Sequence, residues 1–150
     1  MRRIDGFIGG KSVKVTSGRE ADVFNPNTGD VQAKVGLAST ADVDAAVEAA
    51  AKALPGWSST NPQRRARVMF EFKRLVEANM QSLAELLSSE HGKVIADSKG
   101  DIQRGLEVIE FACGIPHALK GEYTEGAGPG IDVYSMRQPL GVVAGITPFN

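Results

Sequence analysis

The chain has 150 residues, 42% of them hydrophobic and 23% charged, with a formal net charge of −1. These are ordinary globular values, and the length suffices for one core that buries roughly two-thirds of the unfolded surface. They exclude a basic nucleic-acid face, a long charged tail and, with no window near the roughly 20 apolar residues of a bilayer span, a membrane helix. The amino terminus, Met1-Arg-Arg-Ile-Asp-Gly, carries no apolar signal segment. The single cysteine forbids an internal disulfide. A soluble, cytoplasmic protein is expected, with neither nucleic acid nor membrane as a partner. There is no internal repeat or low-complexity tract.

Short strands come first. Residues 7–8 run into the turn Gly9-Gly10-Lys11, and residues 12–15 alternate polar and apolar. Residues 21–24 form a third strand, stopped by Asn25-Pro-Asn-Thr-Gly29, and residues 31–35 a fourth. Tight turns between small strands suggest a meander at the domain edge.

Ser39 begins the first helix, with Asp42 three residues on as in a capping box. Val43, Ala46, Val47, Ala50 and Leu54 follow helical spacing and read as a buried stripe, which Pro55-Gly56 should end near residue 54. Trp57 then falls in a loop, packed as a lid. Asn61-Pro62 is a second start, a cap followed by proline at the first helical position. That helix covers about 62–78, with Val68, Met69, Phe72, Leu75 and Val76 on its apolar face. Its basic run, Arg64, Arg65, Arg67, Lys73 and Arg74, reads as a solvated face.

A third helix, about 80–91, buries Leu83, Leu86 and Leu87 and ends near Gly92. A fourth, about 94–117 with loosening at Gly100, puts Ile102, Leu106, Ile109 and Cys113 on one face and Arg104, Val108 and Phe111 on another. Glu122-Tyr-Thr-Glu-Gly-Ala-Gly-Pro-Gly130 and residues 131–138 read as two strands around a glycine-rich turn, an exposed edge that invites pairing. Proline at 139 ends the second of them. Residues 140–146 are a short apolar run bounded by glycine, the pattern of a strand buried on both faces of a parallel sheet. Thr147-Pro-Phe-Asn150 leaves its carboxyl end, where open α/β sheets bind ligands.

The run Arg137-Gln-Pro-Leu-Gly-Val-Val-Ala-Gly-Ile-Thr-Pro-Phe-Asn150 resembles the aldehyde dehydrogenase superfamily, in particular its acylating methylmalonate-semialdehyde dehydrogenases. The resemblance extends over the whole chain, although family members are much longer, so the chain looks like an amino-terminal fragment. It implies an α/β fold, the amino-terminal part of an NAD-binding domain. Residues 1–121 would be its strands and helices, 122–139 an oligomerisation arm adding strands to a neighbouring subunit, and 140–150 the first strand of the coenzyme fold and an active-site loop. A homo-oligomer, dimer or tetramer, is implied as well.

The resemblance also assigns candidate residues. Asn150 matches the family's oxyanion-hole asparagine, and its amide offers two donors to a developing oxyanion. The plainer reading is a turn asparagine capping a following helix. Ile146, Thr147, Pro148 and Phe149 match positions lining the NAD site, mainly through backbone, while no G-x-G-x-x-G fingerprint is present. Asp101-Ile-Gln-Arg-Gly-Leu-Glu-Val-Ile-Glu-Phe-Ala112 is similar to the subfamily's helix bordering the substrate tunnel, which makes Arg104 the candidate for gripping a substrate carboxylate. From spacing alone Arg104 is a surface residue paired with Glu107 or Asp101.

Cys113, on an apolar stripe, reads as a buried structural thiol and does not match the family nucleophile. His91 and His117 have no metal-ligand spacing, so no metal site is expected, and no carboxylate reads as a general base. The activity implied is NAD-dependent oxidation of malonate or methylmalonate semialdehyde, with coenzyme A taking the acyl group as acetyl- or propionyl-CoA. Two other readings stay open, a hydrolytic NAD(P)-dependent aldehyde dehydrogenase and an inactive fragment that only folds or associates.

Overall fold

The structure, a computed structural model, describes residues 1–148. Five short strands lead the chain: β1 (Arg2–Ile4), β2 (Gly6–Ile8), β3 (Lys11–Val13), β4 (Glu20–Phe24) and β5 (Val31–Gly36). Four long helices and one short one follow: α1 (Thr40–Ser59), α2 (Pro62–Ala78), α3 (Met80–His91), α4 (Ile95–Cys113) and α5 (Ile115–Ala118). A hairpin of β6 (Tyr123–Gly128) and β7 (Ile131–Tyr134) comes last. The class is α/β, as the sequence implies.

The strands are not a simple meander. β5 is the centre of a three-stranded sheet, antiparallel to β4 and parallel to β1, with Arg2 opposite Ala33 and Ile4 opposite Val35. Residues 2–4 show no apolar alternation, so the strand is legible only through its partner. Charges are matched around it: Arg3 pairs with Asp5 just beyond the strand at 2.9 Å and, across the sheet, with Glu20 of β4, while Lys34 of β5 pairs with Asp22 of β4. β2 and β3 form a separate hairpin, turning through Gly9 (φ 61°) and Gly10 (φ 82°), the pair of positive φ values that matches strand twist.

Cap chemistry holds where it is local. The Ser39–Asp42 capping box is present, and Asn61 caps α2 through the Gln63 N–H with Pro62 at the first position. α3 ends at Gly92 in the left-handed region (φ 87°). Pro55 does not stop α1, which runs on through Trp57 to Ser59. A proline there removes one backbone bond. Side chains take carbonyls of the final turn, Ser58 Oγ on the Pro55 carbonyl at 3.1 Å and Thr60 Oγ1 on the Gly56 carbonyl at 2.7 Å. The fourth helix is unbroken at Gly100 and divides instead at Gly114, just before Pro116 of α5.

The core is narrow and made of small side chains. Ala66 of α2, Ala84 of α3, and Ser98, Leu106 and Cys113 of α4 are buried, which lets the helices approach closely. Ser88 and Ser98 satisfy each other across the α3–α4 seam at 2.7 Å. The helices dock on the sheet through Gln32, whose Nε2 donates to the Ser89 carbonyl at 2.8 Å, and through the Arg2–Glu90 pair at 2.7 Å. Gly92 lies so near Pro26 that a Cβ would sit 3.0 Å from its Cγ.

The broad apolar stripes do not close. Val43 and Val47 of α1 and Phe72 of α2 are each about half exposed, and Leu83 and Leu86 of α3 are exposed too, against the expectation of burial. The total accessible surface is 11243 Å², where a folded monomer of this mass shows about 7,400 Å². The reason is geometric. Helical periodicity reports which face is apolar, and covering it needs a second layer that the described residues do not supply. Among them, no helix is long and apolar enough to cross a membrane.

Candidate active-site segment

Residues 135–148 leave the β6–β7 hairpin and carry most of the sequence candidates. The strand expected at 140–146 is not formed. Leu140 and Ile146 are almost fully exposed, and no loop or turn backbone hydrogen bond among the described residues involves 136–148. A strand of a parallel sheet takes its ladder from neighbours on both sides and its cover from crossover helices. No described strand lies beside this one. Beside α1, Gly141, Val142 and Val143 face Ala50, Ala53, Leu54 and Trp57 across a shallow cleft of about 280 Å³.

Thr147 and Pro148 follow on this exposed path, their backbone making no hydrogen bond among the described residues. Asn150 and Phe149 lie outside the described residues. Gly145 has open space where a Cβ would point, so the backbone can be approached closely by a ligand.

Over residues 13–150 the sequence matches the Aldehyde dehydrogenase family profile. The chain belongs to the aldehyde dehydrogenase family. It is 47% identical over all 150 residues to a malonate-semialdehyde dehydrogenase of Pseudomonas aeruginosa, of which it covers 30%. It is 47% identical over 148 residues to the mitochondrial acylating methylmalonate-semialdehyde dehydrogenase of Arabidopsis thaliana, covering 99% of this chain and 24% of that one. A crystal structure from Sinorhizobium meliloti 1021, a provisionally assigned methylmalonate-semialdehyde dehydrogenase complexed with NAD, superposes with a TM-score of 0.97 at 63% identity, over 100% of this chain and 30% of the other. The methylmalonate-semialdehyde dehydrogenase of Oceanimonas doudoroffii gives 0.95 at 48%, over 99% and 30%. The chain thus spans roughly a quarter to a third of the length of these relatives.

Set in this aldehyde dehydrogenase scaffold, Arg104 stands on the outer face of α4 with Val108 and Phe111, as its spacing predicts. Its side chain is 82% exposed and pairs with Glu107 at 3.0 Å, while Asp101 is taken by Lys93. An exposed i,i+3 pair of this kind is weak and gives way readily to a better anion. No hydrogen bond or ion pair among the described residues joins Arg104 to residues 146–148.

The inner face of the same helix holds Ile102, Leu106, Ile109 and Cys113, the last two turns apart from Leu106 and buried. Cys113 is therefore a packing thiol, as expected. The largest electrostatic perturbation also lies away from the segment. Asp42 is held down from 3.8 to about 2, first by the Ser39 backbone N–H and hydroxyl, then by Thr16, with its partial burial opposing. Both Asp42 oxygens accept the Thr16 N–H at 3.1 Å, and Oδ2 accepts the Ser39 N–H at 2.7 Å. This knot ties the loop after β3 to the start of α1.

In the hairpin, Asp132 accepts the Gly126 N–H at 2.9 Å and the Tyr123 hydroxyl at 2.8 Å. The two bonds lower the Asp132 carboxyl and the second raises the Tyr123 phenol. The bonded pair fixes the hairpin's shape while both strand edges stay exposed.

One feature of the described surface escaped sequence reasoning. Trp57 and Arg65 line a common cavity, although the sequence assigns one to a loop and the other to a solvated basic run. The signal was available in the spacing of Pro62, Arg65, Ala66 and Met69, which puts the arginine on the same helical stripe as its apolar neighbours.

Proposed function

We propose that this chain forms the amino-terminal part, divided as 1–121, 122–139 and 140–150, of an acylating enzyme that oxidises malonate or methylmalonate semialdehyde with NAD. Identity near half to semialdehyde dehydrogenases, sustained along the entire chain, carries this reading. The uncovered apolar faces support it, because they fit a chain that packs against further structure.

The segment fits a dinucleotide: Ile146 offers an exposed apolar side chain, and Thr147 and Pro148 offer backbone that makes no hydrogen bond among the described residues. Ile146, Thr147, Pro148 and Phe149 would hold NAD at that edge. NAD, when bound, supplies the hydride acceptor. Asn150 would donate its carboxamide N–H to the aldehyde oxygen as that oxygen becomes negative, and pre-placed donors of this kind act most strongly where water is excluded. Arg104 would exchange Glu107 for the substrate carboxylate, fixing which end of the semialdehyde faces the chemistry. Cys113, buried in α4, takes no part. Coenzyme A would be the second substrate, leaving with the acyl group, and the hairpin β6–β7 would pair with a second copy in a homo-oligomer.

The test is product analysis on the enzyme containing this chain, supplied with methylmalonate semialdehyde, NAD and coenzyme A. Propionyl-CoA with NADH is expected. Free acid, formed at the same rate with or without coenzyme A, would shift the assignment to a hydrolytic enzyme. The 150-residue chain alone is expected to form no NADH, and NADH formation abolished by Cys113→Ser would overturn the packing role of that thiol.

A further inference from the structure

Between α2 and α5 lies a cavity of about 220 Å³ whose walls are Trp57, Met69, Ala112, Ile115 and Leu119, with Arg65 as its cation. The Arg65 Nε is buried and has no hydrogen-bond partner among the described residues. Its guanidinium also makes no ion pair among them, unlike those of Arg2, Arg3, Arg74 and Arg104. Of the Arg65 side-chain donors only this one N–H is enclosed without a partner; a donor buried in that way is costly, and it calls for an acceptor. The adjoining groove shares Ala66 and Pro116 with the cavity and adds Arg67, His117 and Lys120, with no carboxylate lining it.

We propose that this cavity is a binding site for a short apolar monocarboxylate, its carboxylate on Arg65 and its hydrocarbon chain among Trp57, Met69, Ile115 and Leu119. A guanidinium fork matches a carboxylate in shape and number of donors. A neutral hydrocarbon would fill the same space and leave Nε unmatched. A phosphate would bring two charges to a chamber with one cation and mostly apolar walls. The volume, below the range of drug-sized pockets, limits the ligand to a short chain. The site shares no residue with Arg104 or with residues 146–150, so it is distinct from the substrate and coenzyme positions proposed above.

Trp57 is the only tryptophan of the chain and lines the cavity, so its fluorescence follows occupancy, and Arg65→Met separates that signal from binding in the cleft that Trp57 shares with Gly141. The experiment titrates the 150-residue chain with sodium hexanoate and, in parallel, with hexanamide, a neutral ligand of similar shape, while following Trp57 fluorescence. Hexanoate should saturate the signal, and hexanamide should bind roughly tenfold or more weakly, as should hexanoate on Arg65→Met. Equal binding of the two ligands, unchanged hexanoate binding by Arg65→Met, or no saturation at all would overturn the proposal. Should Arg65→Met lose its helical circular dichroism, the comparison of the two ligands on the unaltered chain still decides. Neither NAD nor an aldehyde is present, so failure here leaves the dehydrogenase reading untouched, and the reverse also holds.

Discussion

The seam between α3 and α4 and the segment 135–148 are opposites within one chain. In the seam Ala84 and Ser98 have no exposed surface and Ser98 has its hydroxyl partner on Ser88, and further along the core face of α4 Leu106 is almost fully buried. In the segment Leu140 and Ile146 stand in solvent, and the backbone makes no turn or loop hydrogen bond after residue 135 among the described residues. Hydrophobic content does not separate them, since residues 140–146 are as apolar as any helix face. What separates them is where the partners come from. The seam closes with residues about ten positions apart on two adjacent helices, while the segment needs strands on both sides. The closed region should therefore govern stability, and the open region should govern chemistry.

The largest expected effect tests the open side. In the enzyme that contains this chain, Asn150→Ala should lower turnover by roughly 10²–10³-fold, the usual loss of one oxyanion donor, with thermal stability near that of the parent. Arg104→Leu should behave differently, because the carboxylate that the proposal assigns to Arg104 is charged before and during reaction. It should raise KM for methylmalonate semialdehyde with less change in kcat and spare propanal, which has no carboxylate. Equal losses on both substrates would return Arg104 to its surface pair with Glu107.

On the closed side, Leu106→Ala removes a buried side chain from the core face of α4 and should cost about 2–5 kcal/mol by thermal or urea unfolding of this chain. A cost below about 1 kcal/mol would mean that the seam is no better packed than the outer faces.

Next in size is the knot at the start of α1. Ser39→Ala removes the cap and should cost about 0.5–2 kcal/mol. Asp42 adds a pH signature. Its folded pKa, about 2, is depressed below the ordinary 3.8. A depressed carboxyl stabilises the fold fully above its unfolded pKa, and that stability is lost as pH falls through the folded one. Stability should therefore drop between pH of about 4 and about 2, and Asp42→Asn should flatten that drop. An identical acid profile in Asp42→Asn would show that other carboxyls govern acid unfolding.

The same division explains what was legible in the sequence. Ser39 with Asp42, Asn61 with Pro62, and Gly92 each act within one helical turn, so their residue types suffice to place three helix ends. Ile102, Leu106, Ile109 and Cys113 were likewise readable as the inner face of α4. Pro55 misled because a proline so near the helix end costs only the bond to the residue 51 carbonyl, while Ser58 and Thr60 side chains take carbonyls of the final turn. β1 was illegible because Arg2 and Arg3 carry no strand pattern and its partner lies about thirty residues away. Residues 140–146 have the composition of a strand, but composition cannot supply neighbours. For the candidate site, Arg104 and the segment 146–150 are offered by the family resemblance alone and by no spacing or composition, while Arg65 was lost by grouping it with other charges instead of with its own helical face.

The smallest expected effect is the sharpest test of the comparison. Val47 lies on the α1 stripe that sequence periodicity marks as core, yet it is half exposed here. If that face is open, Val47→Ser removes little buried surface and should change the stability of this chain by no more than about 0.5 kcal/mol. Its spacing is identical in kind to that of Leu106 on α4, so the two substitutions differ chiefly in whether a second layer is present. The measurement is urea unfolding of both variants beside the parent, with sedimentation to detect association. A loss from Val47→Ser as large as that from Leu106→Ala, at concentrations where the chain is monomeric, would mean that the α1 face is covered within the chain itself. The contrast between a closed seam and open outer faces would then fail. A small loss in the monomer that grows where the chain associates would instead identify α1 as a face that a second polypeptide surface covers.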